Sequence, residues 1–454
     1  MDKPAGVLMF LLVILKVLGT AEADCSSTCS ATSCTCTGQD LTSVPQDLPT
    51  TITWLDLRRN QITTLSQSDF SRYRSLEDLR LDYNSISTIN SQAFYHLSNL
   101  TELWLDSNRI TALRSDMFTG LGNLQYLYLF HNSISDIQDG TFNSTPQLTR
   151  LYLSNNRLTK LRANMFTGLG NLQTLDLYDN DITVIPDHTF NPTPQLKFLN
   201  LSNNHIQSIA SNLLANLLNL TEVSLSDNSI TAFPFEDLLN IQTIVTLHLD
   251  KNQMTTIPST AYDILSSISE VNIDNNPWQC DCRMVEFRLK MTGTYPFENQ
   301  IICFQPDSVH GQKLIDISPE DLMSYCEEPT IVRFEQSEDN PLIEGDSLRL
   351  VCEATGIPTP DITVTLPSGL NATVDSVGKV TVDVNGTIMI RDVTVEDSGQ
   401  YVCTATNSVG FTRSVSIDVF YPNPPPTFSL GVIVGTVGVS FPPIRDLRRH
   451  AISS

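Results

Sequence analysis

Cysteine is absent from residue 37 to residue 279, although the chain of 454 residues holds ten. Basic residues are scarce as well, with 27 Lys+Arg against 50 Asp+Glu and a formal charge of −23. That balance would repel a phosphate backbone, so nucleic acid is not an expected partner. No apolar run reaches the roughly 20 residues that a membrane helix needs. Catalytic signatures are missing too. The seven histidines (His96, His131, His188, His205, His248, His310 and His450) are scattered, and no metalloprotease, nucleophile-elbow or phosphate-loop motif occurs. An enzyme is therefore not expected. The 41% hydrophobic content is still ample for folded cores, and the length suggests two to four domains.

The first residues carry an address. Lys3 precedes an apolar run from Val7 to Leu15, and Ala21-Glu22-Ala23 fits the small-x-small rule for signal cleavage. Residues 1–23 thus read as a secretory signal, with the mature chain starting near Asp24 on the extracellular side. The cysteines agree with an oxidising compartment. Four stand at the front (Cys25, Cys29, Cys34, Cys36), four further on (Cys280, Cys282, Cys303, Cys326), and two last (Cys352, Cys403). No histidine clusters near the two Cys-x-Cys pairs, so bridges are expected there rather than zinc, and neither metal nor cofactor is predicted.

Between the first two cysteine groups runs a repeat. Asparagine recurs at Asn60, Asn84, Asn108, Asn132, Asn156, Asn180, Asn204, Asn228, Asn252 and Asn276, every step being 24 residues. Around each the pattern is L-x-x-L-x-L-x-x-N-x-L, as in Leu100, Leu103, Leu105, Asn108 and Ile110. A second ladder holds the same period, from Phe70 through Phe94, Phe118, Phe142, Phe166 and Phe190 to Leu214, Leu238 and Tyr262. Each L-x-L predicts a short strand with both leucines inward and the intervening residues facing solvent. One coil cannot bury its own apolar side, so the coils must stack into a curved solenoid with a parallel sheet on its concave face.

These repeats, with the flanking cysteines and the motif Asn276-Pro277-Trp278-Gln279-Cys280-Asp281-Cys282, resemble the extracellular leucine-rich-repeat family with cysteine-rich flanks. The resemblance implies a front cap over 24–50, repeats over 51–275 and a rear cap over 276–328. It also implies the bridges Cys25–Cys34, Cys29–Cys36, Cys280–Cys303 and Cys282–Cys326. After Pro329 the period stops and alternating strand patterns begin. Asp397-Ser398-Gly399-Gln400-Tyr401-Val402-Cys403 looks like the tyrosine corner of an immunoglobulin sandwich over 329–421, which implies a Cys352–Cys403 bridge. Val364 stands where that family carries its core tryptophan. Residues 422–454 then read as a Pro-rich linker, an apolar run from Phe428 to Phe441 and a basic tail with Arg445, Arg448 and Arg449. Whether that run enters a membrane is left undecided, since 14 residues of helix span only about 21 Å.

The expected fold class is an α/β-type solenoid, a disulfide-capped horseshoe with a parallel concave sheet, followed by an all-β immunoglobulin-like sandwich. That order resembles the LRR–Ig cell-surface adhesion and receptor proteins, among them the LINGO and AMIGO families and the netrin-G ligands, and implies recognition of an extracellular or cell-surface protein. Phasing the repeats lists the concave face. It opens with Trp54, Asp56, Arg58, Asp78, Arg80, Asp82, Glu102 and Asp106, an acidic stretch expected to be solvated. Aromatics follow at Trp104, Tyr126, Tyr128, Phe130, Tyr152, Tyr178 and Phe198, predicted here to be the ligand-binding residues, because rigid exposed aromatics anchor interfaces. Six sequons mark Asn99, Asn143, Asn200, Asn219, Asn371 and Asn385 for N-glycosylation. A cell-surface adhesion or receptor protein and a soluble recognition protein of innate-immune type both fit this reading, as does contact with a second copy of the chain.

Overall fold

The computed structural model describes residues 25–337, 345–407 and 412–419. The signal reading of 1–23 and the linker, apolar run and basic tail of 422–454 lie outside the described residues. Two units are present, the first ending at Glu327 and the second beginning at Glu328.

The first unit is built on an 11-stranded sheet whose strands pair in chain order. They are β1 (Ser33–Thr35), β2 (Trp54–Asp56), β3 (Asp78–Arg80), β4 (Glu102–Trp104), β5 (Tyr126–Tyr128), β6 (Arg150–Tyr152), β7 (Thr174–Asp176), β8 (Phe198–Asn200), β9 (Glu222–Ser224), β10 (Thr246–His248) and β11 (Glu270–Asn272). All pair in parallel, and the 24-residue period sets the register. Leu79, Leu103, Leu127, Leu151, Leu175 and Leu199 form one continuous row, fully buried. Burying each such leucine contributes about 1.5–3 kcal/mol, and because the row is unbroken every coil depends on its neighbours. The front cap supplies a strand of its own, β1, which pairs with β2.

The ladder asparagines close each coil. Asn108 Nδ2 donates to the carbonyls of Leu81 (2.9 Å), Leu105 (3.1 Å) and Asp106 (3.1 Å), while its Oδ1 accepts the Ile86 amide at 2.9 Å. One amide thereby satisfies backbone groups of two successive coils, which no apolar side chain could do. The residue before each ladder asparagine is left-handed, with φ from 52° to 57° at Arg59, Tyr83, Ser107, His131, Asn155, Asp179, Asn203, Asp227, Lys251 and Asn275. A non-glycine residue pays a steric penalty there, so the turn is held by the asparagine bonds that follow it. On the opposite side the buried phenylalanines stack in pairs, with ring centroids 5.9 Å apart for Phe70 and Phe94, and 6.3 Å for Phe118 and Phe142.

The caps cover the raw ends of this core. At the rear, Cys280 pairs with Cys303 and Cys282 with Cys326, around a fully buried Trp278. At the front the implied pairing is corrected. The bridges are Cys25–Cys36 and Cys29–Cys34, in place of Cys25–Cys34 and Cys29–Cys36. Cys29 and Cys34 lie directly opposite each other in an antiparallel bridge, with Cα atoms 4.1 Å apart. The short loop between them closes on itself, and the buried Cys25 is left beside the buried Cys36.

The second unit is a sandwich of two four-stranded sheets. Its strands are β12 (Glu327–Gln336), β13 (Leu348–Ile357), β14 (Asp361–Thr365), β15 (Asn371–Ala372), β16 (Val380–Val382), β17 (Thr387–Ile390), β18 (Gly399–Thr406) and β19 (Thr412–Val419). One sheet has the order β12-β13-β17-β16 and the other β15-β14-β18-β19. The Cys352–Cys403 bridge joins them, and Val364 is fully buried opposite Cys403 in place of a tryptophan. Tyr401 Oη donates to the Asp397 carbonyl at 2.8 Å, forming the tyrosine corner. Gly386 is required, because a Cβ there would meet the Cys352 carbonyl oxygen at 1.8 Å.

Candidate functional site

Register on the concave sheet places residues of different repeats side by side. Asp56, Arg80, Trp104, Tyr128, Tyr152, Asp176 and Asn200 occupy one row across β2 to β8. Within it a stacked column forms. The Arg80 guanidinium lies 5.8 Å from the Trp54 ring and 4.9 Å from the Trp104 ring. Trp104 stacks on Tyr128 with centroids 3.6 Å apart, and Tyr128 stacks on Tyr152 at 5.0 Å. Beside the column, the Arg150 guanidinium lies 5.2 Å from the Tyr126 ring. Stacks of this kind add about 0.5–1.5 kcal/mol each beyond burial and hold the rings rigid in the free protein. Burial, aided by the charge of Glu102, pushes the Tyr128 hydroxyl up to about 12, so it stays a neutral donor.

The other aromatics do not join the stack. Ser154 separates Phe130 from Tyr178 along the strand ends, and Arg150 and Thr174 separate Tyr126 from Phe198. Tyr178 is the most exposed of the set at 41%, and the Phe130 ring meets His131 edge-on at 5.5 Å. The predicted patch is thus a compact column with four satellites, Tyr126, Phe130, Tyr178 and Phe198. Asn200 stands two strands beyond Tyr152, half-buried, its Oδ1 accepting the Ser202 amide at 3.1 Å. Asn99, Asn143, Asn371 and Asn385 are exposed, and Asn219 is half-buried.

The acidic stretch departs from expectation. Asp56, Asp82 and Asp106 are buried, at 0%, 6% and 3% exposure, as are Ser154 and Ser202. Short side chains in a row beside arginines and aromatics are roofed by them, and only long ones reach solvent. Asp56 is compensated. Burial works to raise its pKa, but a bidentate guanidinium and the backbone amide of Arg58 hold it below the ordinary carboxylate value. Asp106 has no such partner. Burial, reinforced by the charge of Asp82, pushes it up to about 6, and Asp82 is raised by burial as well. Among the described residues, Oδ1 of each is buried without a hydrogen-bond partner, as is the Trp104 indole nitrogen. The repeat phase could not show this, because it assigns a face but not the height of the neighbours.

Among the described residues no group of three or more His, Cys, Asp or Glu side chains is placed to hold a metal ion, and no helix is long and apolar enough to cross a membrane.

Three comparisons bear on this chain. The family description Leucine rich repeat matches residues 50–110, 98–158 and 146–206, BspA type Leucine rich repeat region (6 copies) matches 183–281, and Immunoglobulin domain matches 328–407. The human leucine-rich repeat and immunoglobulin-like domain-containing nogo receptor-interacting protein 2 is 35% identical over 152 residues, covering 32% of this chain and 25% of the relative. The mouse protein 3 of the same description is 31% identical over 170 residues, 37% of this chain and 28% of the relative. The chain thus spans about a quarter of the length of these curated relatives. A solved chain from the octameric complex of Latrophilin 3, Unc5D and FLRT2 shares the fold, with a TM-score of 0.53 at 24% identity over 65% of this chain and 98% of that one. With repeats, caps, tyrosine corner and these matches together, the chain belongs to the leucine-rich-repeat and immunoglobulin-domain proteins.

Proposed function

We propose that the protein is an extracellular recognition molecule of the adhesion or receptor type, binding a protein ligand through the front half of its concave face. The observation that carries this is the column Arg80–Trp104–Tyr128–Tyr152, pre-stacked and half-exposed on a rigid sheet. Ordering side chains at an interface costs about 0.5–1.5 kcal/mol each, and here that order exists before binding. Half-exposed Asp78 and Glu102 flank the column and favour a ligand with a basic rim. The relatives are named for interacting with the nogo receptor, which supports a protein as the ligand class. An N-glycan on Asn200 would bound the surface on its far side.

The test is a binding screen of the secreted protein against cell-surface ectodomains, a second copy of the chain included. Tyr128→Ala and Tyr152→Ala should each weaken the captured partner about 30-fold or more with secretion unchanged, the usual loss for an aromatic anchor. Normal binding by both variants, with loss on substitution in the immunoglobulin unit, would overturn the concave-face reading.

A further inference from the structure

The rear of the horseshoe holds a separate cavity. A hollow of about 720 Å³ opens where β10 and β11 meet the rear cap, lined by His248, Glu270, Asn272, Asp274, Tyr295 and Gln300 among others. It lies five strands from Tyr152, roughly 24 Å at about 4.8 Å per strand, so it is not part of the aromatic column.

Its walls are fixed in the free protein. Gln300 accepts the Ile273 amide at 2.8 Å and donates to the Val271 carbonyl at 3.0 Å, tying the cap to the last strand. The fully buried Glu298 accepts from the Tyr262 hydroxyl and from the amides of Thr292 and Tyr295, which pins the loop carrying Tyr295. The Tyr295 ring, half-buried, stacks on Phe297 at 5.7 Å and turns one edge of the hollow into an aromatic wall.

The charge within is one-sided. Glu270 and Asp274 line the hollow, and neither lysine nor arginine does. Lys251 faces Asp227 at 3.9 Å and Lys290 pairs with Asp263 at 2.7 Å, so both are engaged outside the lining. Glu270 lies 3.5 Å from the His248 ring, and its side chain is 68% exposed. Asp274 accepts the amide of Asn275, its sequence neighbour. A preformed hollow with two carboxylates, amide and hydroxyl acceptors and an aromatic wall matches a cation that donates several hydrogen bonds. A neutral sugar would leave both carboxylates uncompensated. We propose that this cavity binds a guanidinium or alkylammonium group, presented by a basic side chain of a protein partner or by a free amine.

The probes are N-acetyl-arginine amide, its neutral isostere N-acetyl-citrulline amide, and the peptide acetyl-Gly-Gly-Arg-Gly-Gly-amide, titrated into the intact secreted protein by calorimetry. Saturable binding of the arginine probe is expected, at least tenfold stronger than the citrulline one. The double variant Glu270→Gln/Asp274→Asn should lose at least tenfold, its tryptophan fluorescence unchanged, while Tyr128→Ala keeps full affinity. A peptide that binds several-fold tighter than the single residue identifies a protein segment as the source, and equal affinity identifies a free cation. Equal binding of the citrulline probe, a response to neutral saccharide alone, or an unaltered double variant would overturn the assignment. Because Tyr128→Ala is silent here and decisive for the front surface, either reading can fail without the other.

Discussion

The two halves of the concave sheet share one backbone and differ in what stands on it. From β2 to β6 the face carries stacked rings, interleaved arginines and carboxylates driven under cover. From β8 to β11, Phe198 apart, it carries polar residues, with Ser202 Oγ and Ser224 Oγ 2.6 Å apart, and its acids Glu270 and Asp274 open into a hollow. A solenoid permits this because the ladders that hold each coil lie inside, so the face is free to vary from repeat to repeat. What decides the chemistry of an aspartate here is therefore its neighbours across the sheet. Asp56 beside Arg58 is held ionised, whereas Asp106 beside Asp82 is pushed toward its neutral form.

If the scaffold is uniform, equivalent ladder substitutions in the two halves must cost the same. Asn108→Ala and Asn228→Ala each strip about three carbonyls and one amide of a buried partner. At about 1–3 kcal/mol for a buried group left unpaired, both should cost several kcal/mol. Guanidinium unfolding followed by tryptophan fluorescence reads this directly, since Trp54, Trp104 and Trp278 all lie in the repeat unit. A loss at Asn108 much larger than at Asn228 would break the uniformity.

Asp106→Asn tests the front half alone. The folded value near 6 lies above the ordinary 3.8, so the native state holds a proton that the unfolded chain releases. Stability contributed by that proton is present below about pH 4, falls as pH rises toward 6, and is gone above it. The asparagine variant should therefore be more stable than the parent by about 1–3 kcal/mol at pH 7.5, and the gap should close between pH 6 and pH 4. A gap that does not change with pH would mean that Asp106 is not the titrating group.

Much of this architecture was legible in the sequence, and the reason is periodicity. A 24-residue step repeated in two ladders fixes which residues are inward, so the strands, the stacked phenylalanines and the row Trp104–Tyr128–Tyr152 follow by counting. What did not follow was anything set by side-chain height or by closure in three dimensions. Phase alone put Asp82 and Asp106 on the solvent side, and only the neighbours show that they are roofed. The left-handed residue before each asparagine has only a partial composition signal: Asn155, Asp179, Asn203, Asp227 and Asn275 suit that region, but arginine, tyrosine, serine and lysine occupy it as well. The front-cap pairing depends on which cysteine the hairpin sets opposite Cys29, and the rear cavity on the approach of a cap loop far along the chain.

The smallest expected effect bears most directly on how far the front surface reaches. Arg80 and His248 occupy the same row of the sheet, one at each end of the face. Arg80 lies between two indole rings and 3.3 Å from Asp78, so Arg80→Ala removes a cation–π lid and leaves a carboxylate unpaired. Contacts of this kind, partly exposed, are worth about 0.5–1 kcal/mol, which corresponds to a loss of about two- to fivefold in affinity for the front-face partner. His248 lies 3.5 Å from Glu270 and four strands from Tyr152, away from the column, so His248→Ala should leave that affinity unchanged. Surface plasmon resonance of the two variants against the same partner separates the cases. If His248→Ala weakens binding as much as Arg80→Ala does, the partner spans the whole concave face, and the front and rear halves act as one surface.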